Sequence, residues 1–295
     1  MTIQSNFLMP SDTESDEHQR IIDAAVRVFT RGQVSEEEMA YQTLIVEREE
    51  RFAIVTLNRP PANAINRALV EELKQALDEL ERDAHVGAII LTGAGDRIFC
   101  GGADLSEGFS GEDLEKFVAF GQGLTRQIEQ CAKPVIAALN GHATGGGCEL
   151  ALACHLRIMK ETARLGQTES NLGIIPGFGG TQRLPRLIGR TKAMEYLLLG
   201  TQIPAPEALA LGLVNRLSKE GETLQDAKGL ARQLARRAPI ATRLILRTVD
   251  AGLNTAIDEG LAIERKAFVQ AVQTEDALEG IQSFFQKREP EFKGR

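Results

Sequence analysis

The chain has 295 residues, 43% hydrophobic and 25% charged, a composition that suits one large globular domain with an appendage or two modest domains. A net charge of −7 makes nucleic acid a poor default partner, although a few local cations and helix N-termini can still hold an anionic small molecule. Four cysteines without CxxC spacing point to reduced thiols and a cytoplasmic setting, and no apolar run reaches the roughly 18 residues of a membrane span.

Residues 1–40 read as an N-terminal extension. The run SDTESDE (11–17) is acidic where a targeting segment would be basic, so none is expected. Ile21, Ile22, Ala25, Val28 and Phe29 then recur at helical spacing and Gly32 closes the pattern, predicting a tail followed by a short amphipathic helix. From Tyr41 the pattern changes. Residues 44–46 and 52–57 predict two strands of a hairpin around the charged turn REER. Helical spacing over 69–80 precedes a continuous apolar run at 86–91, which suits a buried strand. Another helix is predicted over 113–131, a strand at 134–139, a helix at 146–155 and a strand at 156–159. Strands alternating with helices argue for an α/β architecture. Beyond Gly180 the pattern is almost wholly helical, with Leu213 and Val214 as a brief exception. The expected division is an extension at 1–40, a core at 41–200 and a C-terminal helical region at 201–295.

Three local features bear on chemistry. CGGAD (100–104) follows a predicted strand and by itself reads as an ordinary strand-to-helix turn, while its glycines would also let backbone approach a ligand closely. NGHATGGGCELALAC (140–154) runs a strand through three glycines into a helix. The free N–H groups of that first turn, with the helix dipole behind them, favour a negative oxygen. The Lys-Ser/Thr pair of a phosphate-binding loop is missing after Gly147, as is the glycine spacing of a dinucleotide fingerprint. Glu149 stands in the first turn, where a favourable contact with the dipole is its simplest role. In LGQTESNLGIIPGFGGTQRLPRLIG (165–189), Glu169 lies among small and apolar residues. Two glutamates approaching one apolar pocket would have their pKa values pushed apart, one serving as acid and the other as base. Spacing alone leaves open whether they meet. There is no GxSxG elbow and no HExxH; His142 and His155 lack metal-ligand spacing, and Cys148 reads as a small buried side chain. No metal site is expected.

Taken in order, IVTLNRPPANAI (54–65), FCGGADL (99–105), KPVIAALNGHATGGGCELALAC (133–154), the 165–189 segment and FFQKREPEFKG (284–294) resemble the crotonase (enoyl-CoA hydratase/isomerase) superfamily over 41–295. The resemblance implies a spiral of ββα turns with a C-terminal helical trimerisation region, assembled as a homotrimer or homohexamer. It implies that the backbone N–H groups of Ala103 and Gly146 form an oxyanion hole for an acyl-CoA thioester. Glu149 and Glu169 match the two carboxylates of the true hydratases. The implied activity is enoyl-CoA hydratase, a hydro-lyase of fatty acid metabolism. Glu149 would activate water for attack on the β-carbon and Glu169 would protonate the α-carbon. An isomerase, a hydrolase or a hydratase for branched or cyclic acyl groups is the alternative. Gly177 matches the loop beside the water site. The CoA would lie along Ala62, Ala64, Ile65, Asp104, Leu105 and Ser106, with Lys287 reaching a nucleotide phosphate, often on a neighbouring subunit. CoA belongs to the substrate, so no cofactor is implied. Three positions depart from the family pattern: Ser106 replaces a lysine that can touch CoA, Thr168 replaces a proline, and His155 stands where aspartate is common.

Overall fold

The computed structural model describes residues 41–104, 106 and 112–295. The predicted tail and amphipathic helix within 1–40, and Leu105, lie outside the described residues. The predicted hairpin forms: β1 (Leu44–Glu49) and β2 (Phe52–Leu57) pair antiparallel, Leu44 opposite Leu57. Asn66 then caps helix α1 (Arg67–Arg82), its side chain accepting the Leu69 N–H at 3.0 Å. Leu69, Val70, Leu73, Ala76, Leu77 and Leu80 recur every three or four residues and are buried along one face. Full burial of each large member contributes about 1.5–3 kcal/mol.

Four more strands join the large sheet or its smaller companion in alternation: β3 (Ala88–Gly93), β4 (Ile98–Cys100), β5 (Val135–Leu139) and β6 (His142–Thr144). Helix α2 (Glu112–Gln130) lies between β4 and β5, and α3 (Gly146–Ala153) follows β6. Next come β7 (Leu156–Lys160), β8 (Arg164–Gly166) and a 3-10 turn at Glu169–Leu172. Helices α4 (Gly180–Ile188) and α5 (Arg190–Leu199) lead to β9 (Ile203–Pro204), α6 (Ala205–Ala210) and β10 (Arg216–Ser218). Helices α7 (Thr223–Ala235), α8 (Pro239–Gly252), α9 (Ile257–Val272) and α10 (Glu275–Gln286) complete the chain.

The large sheet has the order β1-β2-β3-β5-β7-β10 and the small one β4-β6-β8-β9. After the β1–β2 hairpin, the strand pairs β3–β4, β5–β6 and β7–β8 each lay one strand in each sheet before the next helix, in the expected spiral of ββα turns. From β2 to β10 the large sheet is parallel, and β3 and β5 are buried at every residue. On one face Phe52, Ile54, Ala88, Ile90, Ile136, Ala138 and Ile158 pack against Ala227, Leu230 and Ala231 of α7. Residues 42–295 form one compact unit. β9 and β10 belong to the two sheets, and α7 packs on the large one. Leu213 and Val214, the expected break in the helical pattern, are non-helical and lead into the short strand Arg216–Ser218.

Arg157, on β7, is buried without a carboxylate partner among its hydrogen bonds. It donates to the carbonyls of Ala151 (3.3 Å), Cys154 (2.5 Å) and Leu213 (2.7 Å). Two of those carbonyls end α3, so a buried cation faces the negative end of the helix that starts at the glycine turn.

Candidate active site

The small sheet brings the two glycine turns together. β4 and β6 run parallel with Cys100 beside Ala143, so the chain leaves both strands at the same level. Gly102 has φ +98°, and a β-carbon there would lie 2.9 Å from the Thr144 carbonyl and 3.3 Å from the Gly146 nitrogen. Ala103 forms a parallel bridge with Ile65. That bridge uses the Gly102 carbonyl and the Asp104 N–H, leaving the Ala103 N–H out of the ladder. Gly146 is the first residue of α3, where a helical N–H has no intrahelical acceptor. Ala103 and Gly146 both line the cavity, and Gly146 does so from the head of a short helix.

Both glutamates border the cavity beside those turns. It measures about 450 Å³ and is lined by Ala103, Gly146, Glu149 and Glu169, with apolar walls that include Phe117, Val118, Ile175 and Phe178. Glu149 is 2% exposed, and its Oε1 accepts the N–H groups of Phe178 at 2.7 Å and Gly180 at 2.6 Å. Burial raises its pKa to about 7; the Gly180 N–H opposes that, the Glu169 charge adds to it, and Phe178 and Arg183 oppose it. Glu169 opens the 3-10 turn, and its pKa is also raised by burial. A β-carbon on Gly145 would lie 3.3 Å from Glu169 Oε1, so this carboxylate sits against the second glycine turn. Gln167, buried beneath it, donates to both Glu169 oxygens at 3.1 and 3.3 Å when its amide nitrogen faces them. The two carboxylates, whose meeting the sequence left open, converge on one apolar cavity.

The remaining predicted residues are placed unevenly. Gly177 lines the cavity, and its carbonyl accepts from Gln122 at 2.9 Å. Asp104 is engaged by Arg59 at 2.5 Å and by the Ser106 backbone and hydroxyl at 3.0 and 2.6 Å. The Ser106 hydroxyl and the Arg59 guanidinium hold the Asp104 carboxyl down at about 2. Ala62 and Ala64 are half-buried, whereas Ile65 is fully buried with its N–H and carbonyl in the bridge. Ile65 braces the turn through that bridge. Lys287 is the left-handed cap of α10, exposed and away from the cavity lining of its own chain. Cys148 is 1% exposed, and burial holds its thiol far above the usual range. Gln167, Phe178, Gly180 and Arg183 were not singled out from the sequence, although all lie inside the 165–189 segment.

Residues 47–295 match the family described as Enoyl-CoA hydratase/isomerase. The chain belongs to that family. It is 43% identical over 261 residues to the short-chain-enoyl-CoA hydratase of Clostridium acetobutylicum, covering 87% of this chain and 100% of the relative. The crotonyl-CoA hydratase of Syntrophomonas wolfei is 42% identical over 86% of this chain and 99% of its own length. Among solved structures, an enoyl-CoA hydratase from Bacillus anthracis superposes with a TM-score of 0.84 at 41% identity, covering 86% of this chain and all of that one. For this family member, among the described residues, no helix is long and apolar enough to cross a membrane.

Proposed function

We propose that the protein is an enoyl-CoA hydratase, adding water across the 2,3 double bond of a 2-enoyl-CoA to give the 3-hydroxyacyl-CoA. The observation that carries this reading is the convergence of Glu149 and Glu169 on a cavity headed by the Ala103 and Gly146 donors. The thioester carbonyl would accept from those two N–H groups, drawing electrons from the double bond and leaving the β-carbon electrophilic. Ionised Glu149 takes a proton from water as its oxygen bonds to the β-carbon. Electrons pass to the carbonyl oxygen, where the two donors hold the enolate. Glu169 then gives its proton to the α-carbon and the carbonyl re-forms. Water thus supplies the hydroxyl, and the pair ends with its proton on Glu149.

The two N–H bonds to Glu149 support its ionised form. Its burial, with the Glu169 charge adding to it, opposes that form. CoA enters with the substrate, and the reaction as written needs no resident metal or redox group. The exposed apolar side chains of α9 and α10, among them Phe268, Val272, Ile281, Phe284 and Phe285, support assembly as a homotrimer or homohexamer. Four free buried thiols support a cytoplasmic setting. The test is loss of enoyl-thioester absorbance from crotonyl-CoA. Glu149→Ala and Glu169→Ala each lose turnover by about 10²–10⁴-fold while still binding acyl-CoA; parental rates in both variants overturn the assignment.

A further inference from the structure

One charged group stands behind the cavity without touching it. Arg183, on α4, is 14% exposed at its side chain and points back under the loop that carries the two Glu149 donors. Its Nη1 donates to the Phe178 carbonyl at 3.0 Å and to Thr125 Oγ1 at 3.2 Å. Its Nε and Nη2 donate to the two oxygens of Glu129, on α2, at 3.3 and 3.2 Å. Glu129 is also bridged by Arg126 at 2.7 Å. The peptide joining Gly177 to Phe178 is gripped at both ends, by Gln122 on its carbonyl and Glu149 on its N–H. The next peptide is held through its carbonyl by Arg183 and Thr125. Gly179 makes this possible: its φ is +110°, and a β-carbon there would lie 2.1 Å from Arg183 Nη1.

We propose that Arg183, fixed by Glu129, is a positioning residue for hydration: it sets the 176–180 loop so that the Phe178 and Gly180 N–H groups meet Glu149. This rests on Glu149 acting as the base. A guanidinium anchored in this fork cannot be replaced by a flexible ammonium without losing either the carbonyl or the carboxylate. Its positive charge, partly withdrawn from solvent, also favours ionised Glu149. Among the described residues, the charged or titratable groups facing Glu149 are Glu169 from the 3-10 turn, Arg183 from α4 and the neutral Cys148 thiol from its own helix. Burial opposes ionisation of Glu129, but the Arg183 and Arg126 bonds outweigh it and hold that carboxyl below its ordinary range. The brace is therefore a charged pair at working pH.

The test compares the parental protein with Arg183→Met, and with Arg183→Met combined with Glu129→Gln, which removes the carboxylate that the single change would leave half-paired. With crotonyl-CoA, both variants lose kcat on the order of 10²-fold with KM little changed, as a displaced catalytic group does. Their acidic limb of kcat/KM moves to higher pH. A second readout is independent of turnover: infrared titration of the carboxylate band that Glu149→Gln removes. An upward shift of that titration in the double variant supports the proposal. A folded double variant with parental kcat, parental pH limb and an unmoved Glu149 band overturns it. If the band moves while the parental protein leaves crotonyl-CoA intact, the hydratase reading falls and only the hold of Arg183 on the loop that binds the Glu149 carboxylate stands.

Discussion

Glu149 Oε1 lies 2.6 Å from the Gly180 nitrogen, at the point where the cavity wall becomes helix α4. A carboxylate that accepts backbone N–H groups is stabilised as an anion, yet this one is buried enough that its pKa still rises to about 7. The native fold thus holds a carboxylate under opposed influences, and the balance between them has measurable consequences.

The first concerns stability. A carboxyl held at about 7 instead of the ordinary 4.5 makes the unfolding free energy about 3 kcal/mol smaller when the group is ionised than when it is protonated. The folded protein binds more protons than the unfolded chain between those values, so this contribution to stability is lost as pH rises from about 4.5 to about 7. Glu149→Gln keeps an acceptor for both N–H groups and has no charge to desolvate. The variant is expected to be inactive and more stable than the parent at pH 8, by up to about 3 kcal/mol, with the difference gone near pH 4.5. Urea unfolding at fixed protein concentration and both pH values checks this.

The second concerns the pH profile. The base is competent only when ionised, so kcat/KM for crotonyl-CoA is expected to fall about tenfold per pH unit below about 7. A profile flat from pH 5 to 8 would remove Glu149 from the role of base.

The third concerns the first glycine turn. In Gly102→Ala the new β-carbon meets the Thr144 carbonyl at 2.9 Å, and the φ of +98° is strained for any side chain. The Ala103 donor must then move relative to Gly146. Loss of one aligned oxyanion donor costs about 10²–10³-fold in kcat. Steady-state kinetics should show that loss, while a saturated acyl-CoA still binds.

The fourth concerns the acyl group. Phe117 meets Phe178 edge-on, ring centroids 5.6 Å apart, in the apolar wall of the cavity. Phe117→Ala opens that wall. The kcat/KM ratio of an eight-carbon to a four-carbon enoyl-CoA is expected to rise by about tenfold or more. Thermal unfolding should register the lost packing, about 3 kcal/mol at a buried phenylalanine.

Much of the large sheet and its helices was legible because each element is long enough to display a period: six buried positions on α1, unbroken apolar runs in β3 and β5. The small sheet was not. Its strands at 98–100, 142–144, 164–166 and 203–204 are two or three residues long and carry no alternation to detect. Yet β4 and β6 set the two glycine turns side by side. Residue types pointed to an anion-binding turn at Gly146, whereas the meeting of Glu149 with Glu169 depends on how α3 and the 3-10 turn face one cavity. Arg183 was not recognised because its partners, the Phe178 carbonyl, Thr125 and Glu129, are brought to it only by the fold. Gln167, a buried amide beneath Glu169, was hidden for the same reason: its meaning comes from a neighbour two residues on that only the fold aims at it.

A β-carbon on Gly147 would lie 2.2 Å from the Cys100 carbonyl oxygen, as one on Gly102 would press on the Thr144 carbonyl. In both cases the obstacle is main chain, which no side-chain substitution elsewhere can trim away. Compensating mutations, the usual route by which lineages drift through crowded positions, are therefore closed to these two glycines. An engineer seeking to reshape the anion-binding end of this cavity would have to change the lengths of the strands and turns leading into it, because the library of acceptable residues at its rim has a single member.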